Sequence, residues 1–312
     1  MKKIHLYLCG GLGNQLFEYA AARNLAIQNK AKLFLDTKTG FYTDLRDSTK
    51  FSLKVNELKD IKLVNFNIFF LIYRIFQKVF KIKKNIFNFM NQKVIDESKL
   101  NFYDKNIKNI TFEKNIYLVG YFQSKLYFEE NENKILDEIW PQKPTNENYL
   151  KLKDEISKEN SVCIGIRMHE NIDKELGLKI SKDRKKKMIE GIGGITPESF
   201  YLTSLEKIVE KIDKPEFFIF SSKDVNTKSL ISNSKILKKY PVTLITGDKG
   251  FENAYDNLWL MSYCKNFIIS NSTLYWWGAY FSKKKYNKNY VLCSSNFPNK
   301  NTCLVEWEKI KI

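Results

Sequence analysis

The chain has 312 residues, which at roughly 100–200 residues per domain predicts about two domains, and its hydrophobic fraction of 43% excludes a mainly disordered protein. Lys and Arg total 52 against 35 Asp and Glu, giving a net charge of +17 that comes almost entirely from lysine. Proteins that read nucleic-acid bases favour arginine forks, so the lysine excess indicates attraction to other anions: nucleotides, phosphorylated substrates or an acidic membrane surface.

Targeting and redox features favour the cytoplasm. The apolar stretch Ile4–Cys9 is too short for a signal-peptide core, and no stretch approaches the roughly 18 apolar residues of a membrane-spanning helix. The five cysteines show no C-x-x-C spacing, which argues against a disulfide framework or a zinc ribbon. We therefore expect a cytoplasmic protein with reduced thiols.

The first predicted elements are a strand at Ile4–Cys9, a glycine-rich turn at Gly10–Gln15, a helix at Leu16–Ile27 and a strand at Lys32–Leu35. This order is typical of the start of a doubly wound α/β domain. The segment Pro141–Tyr149 has the composition of a linker, and a second α/β series follows it. The sequence predicts two Rossmann-like domains, over residues 1–148 and 149–312, with a ligand cleft between them.

Residues 61–90 are basic and contain no acidic side chain. On a helix, an apolar stripe would comprise Ile72, Ile75, Phe76, Val79 and Phe80, with the basic side chains largely opposite. The stripe could face the core of the protein and leave a solvated basic face. The same segment could instead form a surface that rests on anionic lipid or on a lipid-linked acceptor.

A second basic segment, Lys179–Gly194, is rich in lysine and ends in glycines. Its simplest interpretation is a solvated loop. The glycines would also suit a lid that closes over an anionic substrate, and the sequence leaves both interpretations open.

The turn Gly10–Gln15 is the first candidate ligand site. Gly10, Gly11 and Gly13 remove β-carbons between a strand and a helix, so a ligand could approach the backbone amides. Asn14 and Gln15 add polar side chains at the same place. The spacing matches neither a dinucleotide fingerprint nor a P-loop.

Arg167 is the second candidate, at the end of the predicted strand Ser161–Ile166. A guanidinium at the carboxyl end of a strand can clamp a diphosphate, although an ordinary surface ion pair is the alternative. His169 and Glu170 follow closely and are the obvious proton acceptors to consider.

A third candidate, Asn271-Ser272-Thr273, lies between a strand and a helix, where amides and hydroxyls suit a phosphate. The next residues, Tyr275-Trp276-Trp277, fit packing better than sugar stacking. No Asp-x-Asp pair is present to hold a divalent ion against a diphosphate. We therefore expect no metal and no cofactor, with any leaving diphosphate stabilised by basic side chains and helix N-termini.

Three blocks in the sequence resemble glycosyltransferase family 11, the α-1,2-fucosyltransferases. They are GGLGNQLFEYA at 10–20, GYFQSKLYF at 120–128 and DNLWLMSYCKNFIISNSTLYWWGA at 256–279. Together they span nearly the whole chain in the order found in the family.

The resemblance implies a GT-B fold, in which the C-terminal domain binds most of a GDP-sugar and the reaction is inverting and metal-independent. Arg167 would hold the phosphates of the donor, and Asn271, Ser272 and Thr273 would line the nucleotide site. Asn14 and the neighbouring glycines would lie at the cleft.

Two family motifs are altered. The usual H-x-R-R-G-D is Gly165-Ile166-Arg167-Met168-His169-Glu170, and the usual F-S-D-D-x-x-W is Phe220-Ser221-Ser222-Lys223-Asp224-Val225-Asn226. Only the first arginine of the first motif is kept. Ser221 and Asp224 are the candidate substrate-binding residues in the second.

The resulting hypothesis is transfer of L-fucose from GDP-fucose to a galactose-type hydroxyl of a surface glycan. The acceptor could be lipid-linked, with the enzyme peripheral on the inner face of the membrane. One alternative is the same fold acting on a different GDP-activated sugar. The remote alternative is a basic nucleic-acid-binding or membrane-binding protein without catalysis.

Overall fold

The computed structural model describes residues 1–42, 50–56, 60–80, 84–97, 101–167, 196–222 and 225–312. The chain divides into two compact units, Met1–Trp140 with Asn299–Thr302, and Pro141–Pro298 with Cys303–Ile312. The predicted boundary between residues 148 and 149 would fall inside a helix, Glu147–Ile156, that belongs to the second unit. The division is therefore earlier than predicted, at Trp140.

The described part of the first unit contains one mostly parallel sheet. Its strands are β1 Lys3–Tyr7, β2 Lys32–Asp36, β3 Ile61–Val64, β4 Ile86–Phe89, β5 Gln92–Asp96 and β6 Asn115–Val119. They lie in the order β3-β2-β1-β6-β5-β4, and only β4 is antiparallel to its neighbour. The edge strand is thus the one departure from a doubly wound pattern.

Helices cover this sheet and connect its strands. They are α1 Leu12–Asn29, α2 Thr39–Tyr42, α3 Ile68–Val79, α4 Lys105–Lys108 and α5 Glu132–Ile139, with 3₁₀ turns at Lys125–Tyr127 and Glu129–Asn131. Gly11 is the N-cap of α1, so the helix begins within the glycine-rich turn and four residues before the predicted start at Leu16. The turn therefore places its side chains on the first turn of a helix.

The second unit is an all-parallel sheet in the residues described. Its strands are β7 Ser161–Gly165, β8 Glu216–Ser221, β9 Val242–Thr246, β10 Asn266–Ile269, β11 Tyr290–Ser294 and β12 Glu308–Ile310. Their order is β12-β11-β10-β7-β8-β9. The helices are α6 Glu147–Ile156, α7 Glu198–Lys211, α8 Val225–Asn233, α9 Lys235–Lys239, α10 Ala254–Met261 and α11 Thr273–Tyr286.

Each sheet has a topological switch point, where chain connections leave a central strand in opposite directions. β1 lies between β2 and β6, and β7 lies between β8 and β10. All residues of β7 and β10 are buried, as expected of strands covered on both faces. The prediction of an α/β protein with two Rossmann-like, doubly wound units is confirmed.

Helix α3 corrects the interpretation of residues 61–90. Phe70 and Tyr73 are fully buried on the sheet side of the helix. Four of the five residues of the predicted stripe are exposed: Ile72, Ile75, Val79 and Phe80. The interpretation in which the stripe faces the core is wrong for these four because the helix is apolar on both sides, and periodicity alone does not identify the packed side.

Candidate active site

The switch point of the second unit positions Arg167 beyond the carboxyl end of β7. Its backbone N–H donates to the Tyr201 hydroxyl at 3.0 Å, and its Nη1 donates to the backbone carbonyl of Asn271 at 3.2 Å. Asn271 follows β10, the strand beside β7. The guanidinium is therefore held at the edge of the sheet where doubly wound proteins bind ligands.

The third candidate segment meets Arg167 at this edge, but its residues have different positions. Asn271 is buried and its Oδ1 accepts a hydrogen bond from Thr196 Oγ1 at 3.4 Å. Its backbone carbonyl therefore orients Arg167, and its predicted contact with the nucleotide stays a prediction. Ser272 is the N-cap of α11 and Thr273 its first residue, and both are partly exposed. The N-terminus of α11 adds partial positive charge beside the guanidinium.

Gly165 has a steric reason to lack a side chain. A β-carbon there would lie 2.3–2.7 Å from the ring of Tyr275. The Tyr275 hydroxyl lies within donating distance of two carbonyl oxygens, those of Ile166 and Phe220, both at 3.0 Å. Tyr275 therefore fills the space beside β7, and the predicted packing role of this aromatic run is confirmed, since Trp276 is fully buried too.

The other predicted residues of this unit divide into two groups. Ser221 is buried as the last residue of β8, at the same sheet edge as Arg167. His169, Glu170 and Asp224 lie outside the described residues, as does the lysine-rich segment 179–194. Their roles stay predictions. Tyr201 accepts a hydrogen bond from the backbone of Arg167, and Thr196 donates one to Asn271. Neither residue belongs to one of the motifs found in the sequence.

The glycine-rich turn of the first unit brings two sequence blocks together. Gly10 has a φ of +72°, and a β-carbon there would lie 2.9 Å from Asn14 Nδ2. Asn14 Oδ1 accepts a hydrogen bond from Gln123 Nε2 at 3.0 Å. Gly13 is buried in the first turn of α1. Asn14 and Gln123 thus form a hydrogen-bonded polar pair beyond the end of β1.

Gln15 does not take part in this polar pair. It is fully buried, and its Nε2 donates to the carbonyls of Gly10 and Lys50 at 2.8 and 2.9 Å. Its Oε1 accepts from the backbone amides of Ser52 and Leu53, both at 3.0 Å. In this structure Gln15 therefore fixes the turn against residues 50–53, and its predicted contact with a ligand stays a prediction.

Two buried acids lie near the carboxyl ends of the strands in the first unit. Glu18 accepts from the backbone N–H of Cys9 at 3.1 Å, and Glu97 accepts from that of Phe122 at 3.1 Å. Burial raises the pKa of Glu18 well above its usual value and raises the pKa of Glu97 to about 8. Gly120 is required beside Glu97, because a β-carbon there would lie 2.8 Å from the Glu97 Cβ.

Gly10 and its neighbour Gly11 provide a test of the glycine-rich turn after β1. Gly10→Ala is expected to lower the free energy of unfolding by about 1–2 kcal/mol and to displace Asn14, because the left-handed backbone and the short contact both oppose a β-carbon. Gly11→Ala is the matched control, since its β-carbon would meet nothing within 4 Å. Urea denaturation of both variants measures the difference. Equal stabilities would contradict the assigned strain.

Glu97 predicts a pH dependence of stability. Its folded-state pKa of about 8 exceeds the ordinary value of 4.5, so the folded state retains a proton that the unfolded state releases between these values. Its contribution to stability is therefore lost as pH rises from about 5 to 8, by about 3–4 kcal/mol at about 1.4 kcal/mol per pKa unit. Glu97→Gln should flatten this decline in urea denaturation series, whereas the exposed control Glu113→Gln should not. Parallel curves for Glu97→Gln and wild type would refute the assignment.

No group of three His, Cys, Asp or Glu side chains arranged to hold a metal occurs in the described ranges. Metal independence stays a prediction, since the segment after Arg167 lies outside them. Among the helices that the structure describes, none has the length and apolar character needed to cross a membrane.

Two doubly wound units, one with an arginine fixed at a switch point, place this chain among α/β proteins whose ligands bind at the carboxyl ends of the strands. The model of glycosyl transferase family 11 matches residues 3–311. The chain belongs to this family and is a glycosyltransferase, which argues against the alternative of a non-catalytic binding protein.

Two relatives and one solved structure are similar to this chain. An α-1,2-colitosyltransferase of Escherichia coli is 28% identical over 294 residues, covering 91% of this chain and 87% of the relative. The O-antigen biosynthesis glycosyltransferase WbnK of Escherichia coli is 24% identical over 296 residues, covering 89% and 90%. Among solved structures, the fucosyltransferase NodZ from Bradyrhizobium is 13% identical with a TM-score of 0.48, covering 89% of this chain and 92% of that chain.

Proposed function

We propose that this glycosyltransferase moves L-fucose from GDP-fucose to a galactose-type hydroxyl of a surface glycan, forming an α-1,2 linkage with inversion and without a metal ion. The observation that carries the proposal is the placement of Arg167 at the β7–β10 switch point beside the N-terminus of α11. A diphosphate is the ligand that such a combination of guanidinium and helix N-terminus favours. The α-1,2 linkage in the description of the colitosyltransferase relative supports the proposed product.

In the proposed reaction, the acceptor hydroxyl oxygen attacks the anomeric carbon on the face opposite GDP. The new glycosidic bond forms as the bond to the β-phosphate oxygen breaks, and GDP leaves with the electron pair. Arg167 and the N-terminus of α11 offset the negative charge that develops on this phosphate. The hydroxyl proton passes to a basic group, for which His169 and Glu170 are the proposed candidates.

A second candidate donor is GDP-colitose, because the described relative transfers colitose. Colitose is fucose without its 3-hydroxyl group, so a site for one sugar differs from a site for the other by the partners of a single hydroxyl. A site that hydrogen-bonds this hydroxyl would reject the deoxy sugar strongly, whereas an apolar site would discriminate weakly. The altered residues Gly165 and Ser222 distinguish this chain from the usual family motifs and motivate the comparison.

We further propose a lipid-linked acceptor glycan on the cytoplasmic side of the membrane. The description of WbnK as an O-antigen biosynthesis enzyme supports a surface polysaccharide as the product. In this arrangement the donor is a soluble nucleotide sugar of the cytoplasm, and no cofactor is required. Nucleic acid is not a proposed partner.

The test is a donor panel with a galactose-terminated acceptor, using GDP-fucose, GDP-colitose, GDP-mannose and UDP-galactose, with and without EDTA. The proposal expects GDP-fucose to give the highest kcat/KM, EDTA to change nothing, and NMR of the product to show an α-1,2 linkage. Preference for GDP-colitose would establish the second candidate. Activity with UDP-galactose alone, or loss of activity in EDTA, would overturn the proposed chemistry.

A further inference from the structure

Helix α3 carries an apolar surface that the first unit does not cover. We call Ile68, Ile72, Ile75 and Val79 the outer stripe; their side chains are 61%, 39%, 58% and 68% exposed. At about 100° per residue, these four positions fall within about 60° of one another around the helix axis. They therefore form one continuous strip along the helix.

The outer stripe is not needed to attach the helix. Phe70 and Tyr73, on the opposite side, are fully buried and pack with Tyr7 and Val94 of the sheet. The Tyr73 hydroxyl also donates to Asp96 Oδ2 at 2.5 Å. A helix held in this way would ordinarily present polar residues to water, and four large aliphatic residues in line are the mark of an interaction site.

The sequence segment that contains the outer stripe is basic. From Ile61 to Ile95 the sequence contains seven Lys and Arg residues and no Asp or Glu. Lys62 and Lys84 have exposed side chains, and Met90 adds a further exposed apolar side chain. The segment thus combines an apolar strip with an excess of basic residues.

We propose that the outer stripe, together with the exposed Lys62 and Lys84, docks this protein on the anionic surface of a phospholipid bilayer. Helix α3 then lies parallel to the membrane plane. Aliphatic side chains enter the boundary between headgroups and acyl chains, and lysines interact with anionic headgroups near such a surface. A second copy of the chain would bring two positive surfaces together, and nucleic acid would leave the aliphatic strip in water. The bilayer is the occupant that satisfies both features.

The proposal concerns a surface and is independent of the donor sugar. Docking would hold the enzyme where a lipid-linked acceptor diffuses in two dimensions, so its benefit would be a lower apparent KM for such an acceptor. A short soluble acceptor would gain nothing from it. The membrane test and the donor panel can therefore fail separately.

The experiment is co-sedimentation of the full chain with vesicles of phosphatidylcholine containing 30% phosphatidylglycerol, about one lipid in three, compared with pure phosphatidylcholine. Wild type is expected to bind the anionic vesicles and to lose at least tenfold in affinity when salt is raised from about 0.05 to 0.5 M, since salt screens the lysine contribution. Ile72→Ser with Ile75→Ser should lower the affinity at least tenfold by removing apolar burial.

The matched control is Val305→Ser, which changes a fully exposed aliphatic residue of the second unit. It should bind vesicles as wild type does. Far-ultraviolet circular dichroism and GDP-induced thermal stabilisation should be unchanged in both variants, which separates docking from folding and from donor binding. Vesicle binding that is equal in the double variant and wild type would overturn the proposal. The proposal would also be overturned if wild type and Val305→Ser showed concentration-dependent dimerisation or oligonucleotide binding that the double variant lacked.

Discussion

Arg167→Ala is expected to lower kcat/KM by about 10²–10³-fold and to abolish the thermal stabilisation that GDP gives to the wild-type protein. The variant removes the positive charge and the planar donor at the edge of the sheet where the leaving diphosphate is proposed to bind. Loss of one donor that stabilises developing negative charge typically costs about 3–4 kcal/mol in the transition state. Initial-rate kinetics with varied donor and calorimetric titration with GDP measure the two effects.

Two further variants separate charge, geometry and general destabilisation. Arg167→Lys keeps the charge but lacks the two-pronged geometry, so an intermediate loss is expected. Lys249→Ala removes an exposed positive charge after β9 in the same unit and should leave both measurements unchanged. Full activity and unaltered GDP affinity in Arg167→Ala would refute the assignment of the phosphate site.

Glu138→Ala is expected to destabilise the protein by about 3–5 kcal/mol. Glu138 on α5 accepts hydrogen bonds from Arg23 Nε at 2.9 Å and Arg23 Nη2 at 2.7 Å, and from the Tyr19 hydroxyl at 2.5 Å. Arg23 and Glu138 are both buried. Removing the carboxylate leaves the guanidinium in a low-dielectric interior without its partner, which is far more costly than losing an exposed ion pair. Urea denaturation followed by circular dichroism measures the change.

The combination Arg23→Met with Glu138→Leu tests this reason directly. Because it removes both charges and keeps the volume, it should recover most of the stability lost in Glu138→Ala. Glu147→Ala, which breaks the exposed pair of Glu147 and Lys151, should change stability by less than about 1 kcal/mol. If the double variant is as unstable as Glu138→Ala, the stability lost in Glu138→Ala comes from packing, and the unpaired guanidinium is not its cause.

The sequence was sufficient for the fold because strand and helix signals alternate regularly along it. β7 and β10 are mainly apolar runs, each with one polar residue at its start, and the glycines after β1 mark the start of a helix. Arg167 was identifiable for the same reason: an uncommon residue type directly follows a strand, and parallel strands bring their carboxyl ends to one edge. These signals are local, so they do not depend on knowledge of distant contacts.

The sequence does not indicate which distant parts of the chain hold the candidate site residues. The amide of Gln15 is occupied by backbone groups of Lys50 and Leu53, and nothing in the turn itself indicates this. Asn271 is buried because Thr196 and Arg167 bond to it from other elements. A polar residue beside a predicted site can equally be its support, and the distinction requires three-dimensional contacts.

The fit between Gly165 and Tyr275 restricts the order in which this protein could change. A side chain introduced at 165 would collide with a buried ring whose hydroxyl bonds two carbonyl oxygens at the ends of neighbouring strands. A smaller residue at 275 would first open a cavity, and only then could a larger residue enter at 165. The two positions, distant in the sequence, therefore act as one packing unit: a larger residue at 165 requires a smaller residue at 275.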